Sequence, residues 1–103
     1  MALTRGFRTT ILERVQRDPA FRQAMLKEGI DTMLAGDVDT GKAILRDYIN
    51  AAIGFGQLAE ATNIPTKSLM RMFGPKGNPR ADNLFQIISH LQALEGIHLQ
   101  VKT

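Results

Sequence analysis

The stretch Phe55-Gly56-Gln57-Leu58-Ala59-Glu60-Ala61-Thr62-Asn63-Ile64-Pro65-Thr66-Lys67-Ser68-Leu69-Met70-Arg71-Met72-Phe73 holds two short helical patterns with a turn between them. Leu58, Ala59 and Thr62 fall on one helical face, and Leu69, Met72 and Phe73 on another. Two helices that cross steeply need a small residue where they touch, a residue tolerant of positive φ in the turn, and apolar anchors on the second helix. Ala59 is the small contact, Asn63 four positions later can adopt the left-handed conformation, Ile64 plugs the turn, and Leu69 and Met72 anchor the second helix.

Outward from this unit the helical period continues in both directions. Phe7, Ile11 and Val15 form one apolar stripe that ends near Asp18-Pro19. Asp18 can cap a second helix with Pro19 in its first turn, and that helix is expected to bury Phe21, Ala24, Met25, Thr32 and Met33 and to run to Gly36, with Gly29 as a weak spot inside it. After Gly36-Asp37 a third helix carries Ile44, Leu45, Tyr48, Ile49, Ala52 and Ile53 on one face until Gly54. Gly74-Pro75-Lys76-Gly77-Asn78-Pro79 must be a loop. Beyond it, Leu84, Ile87, Ile88, Leu91 and Leu94 mark an amphipathic helix that stops around Gly96. The chain then changes period, because Ile97, Leu99 and Val101 alternate with polar residues as in a β-strand.

The expected fold class is all-α, a single domain built as a five to six helix bundle. Its parts are an N-terminal helical portion (1–53), a helix-turn-helix core (54–95) and a short C-terminal strand (97–102). A lone strand needs a partner for its backbone groups, so Ile97, Leu99 and Val101 of two chains are expected to pair across a two-fold axis and make a homodimer.

At 103 residues with no Cys, the chain has room for one domain and no disulfide or thiolate chemistry. No apolar run approaches the ~20 residues that span a bilayer and no signal-peptide core follows Met1, so a soluble, cytoplasmic protein without a membrane partner is expected. The net charge of +3 is unevenly spread. Residues 1–29 carry +3, 30–55 carry −2, 56–80 carry +3 and 81–103 carry −1. Only His90 and His98 could act as imidazole bases or metal ligands; they sit on different elements without an acid cluster at ligand spacing, so neither catalysis, a metal nor a cofactor is expected.

Residues 54–95 resemble the helix-turn-helix of the Cro and lambda-repressor superfamily, including the Gly77-Asn78-Pro79-Arg80 loop followed by Asn83-Leu84-Phe85-Gln86-Ile87-Ile88. Two positions depart from that pattern: Phe55 stands where the family often has a phosphate-binding Gln, and Asn63 replaces the usual Gly. The whole chain also resembles the short antidote-type regulators encoded beside a small ribonuclease-like toxin, through Gly36-Asp37, Arg46-Asp47-Tyr48-Ile49-Asn50, Gly54-Phe55, Lys67-Ser68-Leu69 and Gly77-Asn78-Pro79. The resemblance implies a dimeric, sequence-specific DNA-binding repressor that autoregulates its operator and, as in many members, binds a toxin protein. The alternatives are an antidote whose main task is to mask the toxin and a stand-alone phage-type repressor.

A helix enters the major groove with its N-terminal turn towards the bases, which makes Thr66, Lys67 and Arg71 candidates for base contacts and Met70 a candidate for a thymine methyl. Ser68 is assigned to phosphate, and in the superfamily's geometry Gln57, Lys76, Asn78 and Arg80 also approach the DNA backbone. For Asn78 a purely conformational role before Pro79 is equally open. The N-terminal cations Arg5, Arg8, Arg14, Arg17, Arg22 and Lys27 form no single stripe and read either as solvated surface or as a contact with a toxin or flanking DNA.

Overall fold

Asp18 ends one helix and caps the next. In the computed structural model, which describes residues 5–99, α1 (Arg5–Arg17) stops where the Asp18 carboxylate accepts the Phe21 backbone N–H at 3.1 Å, with Pro19 opening α2 (Pro19–Leu34). Asp37 repeats the device by accepting the Thr40 N–H at 3.2 Å and starting α3 (Val38–Ala52). Gly54, at φ +85°, turns the chain into α4 (Phe55–Thr62), and α5 (Thr66–Met72) and α6 (Ala81–Glu95) follow. The described residues are thus all-helical.

One core joins α2 through α6. Leu26 from α2, Leu45, Tyr48 and Ile49 from α3, Leu58 from α4, Leu69 from α5, and Ile87 and Leu91 from α6 are all fully buried. Of the expected faces, Leu45, Tyr48, Ile49, Ala52 and Ile53 of α3 and Leu84, Ile87, Ile88 and Leu91 of α6 lie in or against this core, but Leu94 is exposed and Ile44 is half-buried outside it. The α2 helix buries Leu26 and Ile30, with Met25 and Met33 packed alongside, and leaves Ala24 exposed. From α1, Val15 is buried; the side chains of Phe7 and Ile11 lie outside the description.

Gly29 is no weak spot. It is buried at the contact between α2 and α3, where a Cβ would come within 2.8 Å of Leu45 Cδ2. Gly41 faces it from α3, and a Cβ there would lie 2.8 Å from the Gly29 carbonyl oxygen and 2.9 Å from the Met33 nitrogen. The pair therefore sets how closely the two helices approach, a gain that offsets the helix propensity a glycine forfeits.

A polar cluster ties the end of α6 to α2 and α3. The Glu95 carboxylate, with its side chain 2% exposed, accepts hydrogen bonds from Arg22 Nε at 3.1 and 3.2 Å and from the Tyr48 hydroxyl. Arg22 also donates to the Val15 carbonyl, and Gln23 donates to that of Glu95. A buried carboxylate requires this full set of partners, since losing one leaves an uncompensated charge.

The expected C-terminal strand is not found among the described residues. Ile97, His98 and Leu99 are irregular, and Gly96 at φ +69° folds them back over α6. There the Ile97 N–H donates to the Gln92 carbonyl and the Leu99 N–H to Gln92 Oε1 at 2.7 Å. The alternation is real, since Ile97 and Leu99 are half-buried and His98 is exposed, but both apolar side chains pack on their own core. A side-chain amide thus replaces the strand partner that the periodicity calls for. Val101 lies outside the described residues.

Tyr48 is the only tyrosine and the chain has no Trp. Burial, reinforced by the hydrogen bond to Glu95, pushes its phenol well above the ordinary value of 10.0. A folded-state pKa raised in this way contributes stability that is fully present below pH 10 and is lost as pH rises from there towards the folded value. Phenolate absorbance should therefore stay absent past pH 10 and appear together with loss of the helical circular dichroism; a phenolate titrating at pH 10 in the folded protein would contradict the burial.

Candidate nucleic-acid interface

The turn between α4 and α5 is built on Asn63, which sits in the left-handed region at φ 59°, ψ 26° and is the only non-glycine residue with positive φ among the described residues. Asn reaches this conformation more readily than most side chains do. Ile64 packs against the core next to the turn, and Pro65 leads into α5. Ala59 is half-buried against the core on α4, as a small contact residue should be. Phe55, at the position that departs from the Cro-like pattern, is buried with its ring centroid 6.3 Å from that of Phe73, so it anchors the helix pair from inside.

The short α5 separates its side chains as its periodicity requires. Leu69 and Phe73 are buried and Met72 is half-buried; Thr66, Lys67, Met70 and Arg71 are exposed, and Ser68 lies between. Met70 presents 55% of its surface, which is unusual for a large apolar side chain. Lys67 and Arg71, four residues apart on the helix, share its outward face.

Five of the nine candidate DNA-contact residues converge on one feature. A groove of about 480 Å³ runs between α5, the following loop and the start of α6, and Ser68, Arg71, Lys76, Asn78 and Arg80 all line it. Asn83 of α6 and Asn63 of the turn complete its polar wall; the sequence marks neither as a contact, and Asn83 is legible there only as the residue before an apolar pair. Thr66 borders a second concavity beside Gly56, Ala59 and Glu60, across the Asn63-Ile64-Pro65 turn. Gln57 is exposed on α4 and, like Lys67 and Met70, lies outside the groove lining.

Counter-ions are sparse at this face. Among the described residues Lys67, Arg71 and Lys76 make no ion pair, and Arg80 has only an exposed contact with Asp82 at 3.5 Å. The N-terminal cations behave differently. Arg14 lies over the Phe21 ring at 4.5 Å and 3.8 Å from Asp18, Arg22 is bound to Glu95, and Lys27 is paired with Asp31, which holds its ammonium above the usual lysine range. Three members of the N-terminal patch thus pair with the chain's own acids, Arg17 is exposed without an ion pair among the described residues, and around α5 the charges of Lys67, Arg71 and Lys76 are left unpaired. Arg5 and Arg8 have side chains outside the description.

The loop itself is held from behind. Lys42 on α3, 3% exposed, directs its ammonium at the carbonyl oxygens of Gly74 (3.1 Å) and Gly77 (2.6 Å), with Asp39 Oδ1 at 3.8 Å. No sequence pattern marks this residue, because a lysine on an amphipathic helix ordinarily reads as solvated.

His90 is half-buried on α6 and His98 exposed beyond it; among the described residues no group of three or more His, Cys, Asp or Glu is placed to hold a metal ion. No described helix is long and apolar enough to cross a membrane. Neither a known family, nor a characterised protein, nor a solved structure matches the chain.

The turn geometry is directly testable. Asn63→Val should destabilise the protein by about 1 to 2 kcal/mol, since a β-branched residue resists the left-handed region, whereas Asn63→Gly should be near neutral or stabilising. Urea titration reads both, and equal stability of the Val and Gly variants would exclude the strained turn.

Proposed function

We propose that the protein is a sequence-specific DNA-binding transcriptional regulator that uses α5 as its recognition helix. The observation that carries this reading is the cationic groove beside α5, where Arg71, Lys76 and Arg80 stand with Ser68, Asn78 and Asn83 next to an exposed helix face bearing Thr66, Lys67 and Met70. Exposed cations such as Lys67, Arg71 and Lys76, which have no acidic partner among the described residues, are what a phosphate backbone requires, because neutralising phosphates releases condensed counter-ions. The loop residues would fix register on the backbone, and the α5 side chains would meet base edges. Arg71 belongs to both groups, as it lies on the outward face of α5 and at the groove wall.

Such a small module makes few contacts, so the regulator is proposed to act as a homodimer on two half-sites about one helical turn apart. Ile97 and Leu99, expected in the dimer seam, are half-buried against their own core rather than paired as a strand, and Val101 lies outside the described residues.

Binding to DNA upstream of the protein's own coding sequence, followed by fluorescence anisotropy across a salt series, tests the reading. Arg71→Ala should cost about 1 to 3 kcal/mol on the cognate site and relax one base position. Lys76→Ala should weaken all sequences alike and flatten the salt slope by about one. A wild-type protein that shows no salt-dependent binding to any duplex would overturn the proposal.

A further inference from the structure

We propose that Lys42, far from the recognition helix in sequence, is the positioning residue of the DNA-contacting loop; the inference rests on the nucleic-acid reading above. Three observations converge on it. The Lys42 side chain is nearly sealed from solvent, although a lysine carries a strongly hydrated ammonium and loses much rotamer freedom when fixed. Its ammonium has three donors, and two of them meet main-chain carbonyls of one loop, at Gly74 and Gly77. The third observation is the tightness of the loop on its other side. A Cβ at position 77 would collide with the carbonyl oxygens of Arg71 and Met72, so the backbone of Gly77 is pressed onto the last turn of α5.

The loop is therefore held between an ammonium from α3 and the carbonyl end of α5. Gly74 accepts twice, from Lys42 and from the Gly77 N–H at 3.0 Å, which closes the turn around Lys76. Lys76 lies between the two clamped glycines, after Pro75, and Asn78 and Arg80 follow within three residues of Gly77, so the orientation of three groove residues depends on contacts that none of them makes. The same clasp ties the α2/α3 hairpin to the groove, since Gly41, adjacent to Lys42, is locked against Gly29. Because the loop carbonyls satisfy the ammonium in place of water, loss of the ammonium frees the loop while leaving its cations intact.

The test compares Lys42→Met, which keeps the apolar stem, with Tyr48→Phe, which removes a hydrogen bond from the same helix without touching the loop. Under conditions where both variants are folded, the Gly77 amide should exchange about tenfold faster in Lys42→Met and at the wild-type rate in Tyr48→Phe. Affinity for duplex DNA should fall about tenfold in Lys42→Met only, and Lys76→Ala should cost much less in that background than in wild type. Unchanged Gly77 exchange, or an equal Lys76→Ala effect in both backgrounds, overturns the proposal. Should Lys42→Met fail to fold, pulse acylation of the unmodified protein decides: Lys42 should be protected while the exposed Lys27, Lys67 and Lys76 react, and equal labelling refutes the clasp. A wild type with protected Lys42 that binds no DNA sinks the nucleic-acid reading and leaves the loop clasp standing.

Discussion

The close approach of α2 to α3 is the constraint from which the remaining architecture follows. Gly41 leaves no room for a side chain beside the Gly29 carbonyl, so the two helices meet backbone to backbone. That contact aims the rest of α3. Leu45, Tyr48 and Ile49 enter the core shared with α4, α5 and α6, and Lys42, one residue beyond the glycine, reaches the loop after α5. One helix thereby both closes the core and supports the candidate interface.

The polar contacts divide into two kinds with different purposes. Arg22, Tyr48 and Glu95 form a buried cluster in which a desolvated carboxylate is fully supplied with donors, fixing the end of α6 on α2 and α3. Around α5 the opposite holds, for Lys67, Arg71 and Lys76 face solvent with no acid paired to them among the described residues. Charge that is neutralised internally cannot steer a partner, whereas charge left open can. This contrast separates cations of the two basic segments: Arg14, Lys27 and Arg22 near the N-terminus are paired with Asp18, Asp31 and Glu95, whereas Lys67, Arg71 and Lys76 around α5 have no acid paired to them among the described residues.

Local chemistry makes much of the chain legible from its residues. The caps at Asp18 and Asp37, the stops at Gly54 and Gly96 and the left-handed Asn63 each follow from a residue and its immediate neighbours. The inward set Leu69, Met72 and Phe73 and the outward set Thr66, Lys67, Met70 and Arg71 follow from helical period alone. Where the period misleads, a long-range or side-chain contact intervenes. At the C-terminus the apolar alternation reads as an unpaired strand because the periodicity is blind to Gln92, whose amide oxygen accepts the Leu99 N–H. In α2 a glycine reads as a propensity defect because its value lies in a partner helix.

The residues by themselves determine the helices, the turn geometry and the outward cations of α5, since all of these arise from interactions within a few positions of each other. Three-dimensional assembly alone sets which cations are neutralised internally, which carboxylate is buried and which lysine holds the loop. Arg22 and Glu95 are 73 residues apart, and Lys42 and Gly77 are 35 apart. A helical periodicity carries no information across such separations, so these contacts come into being only when distant helices pack.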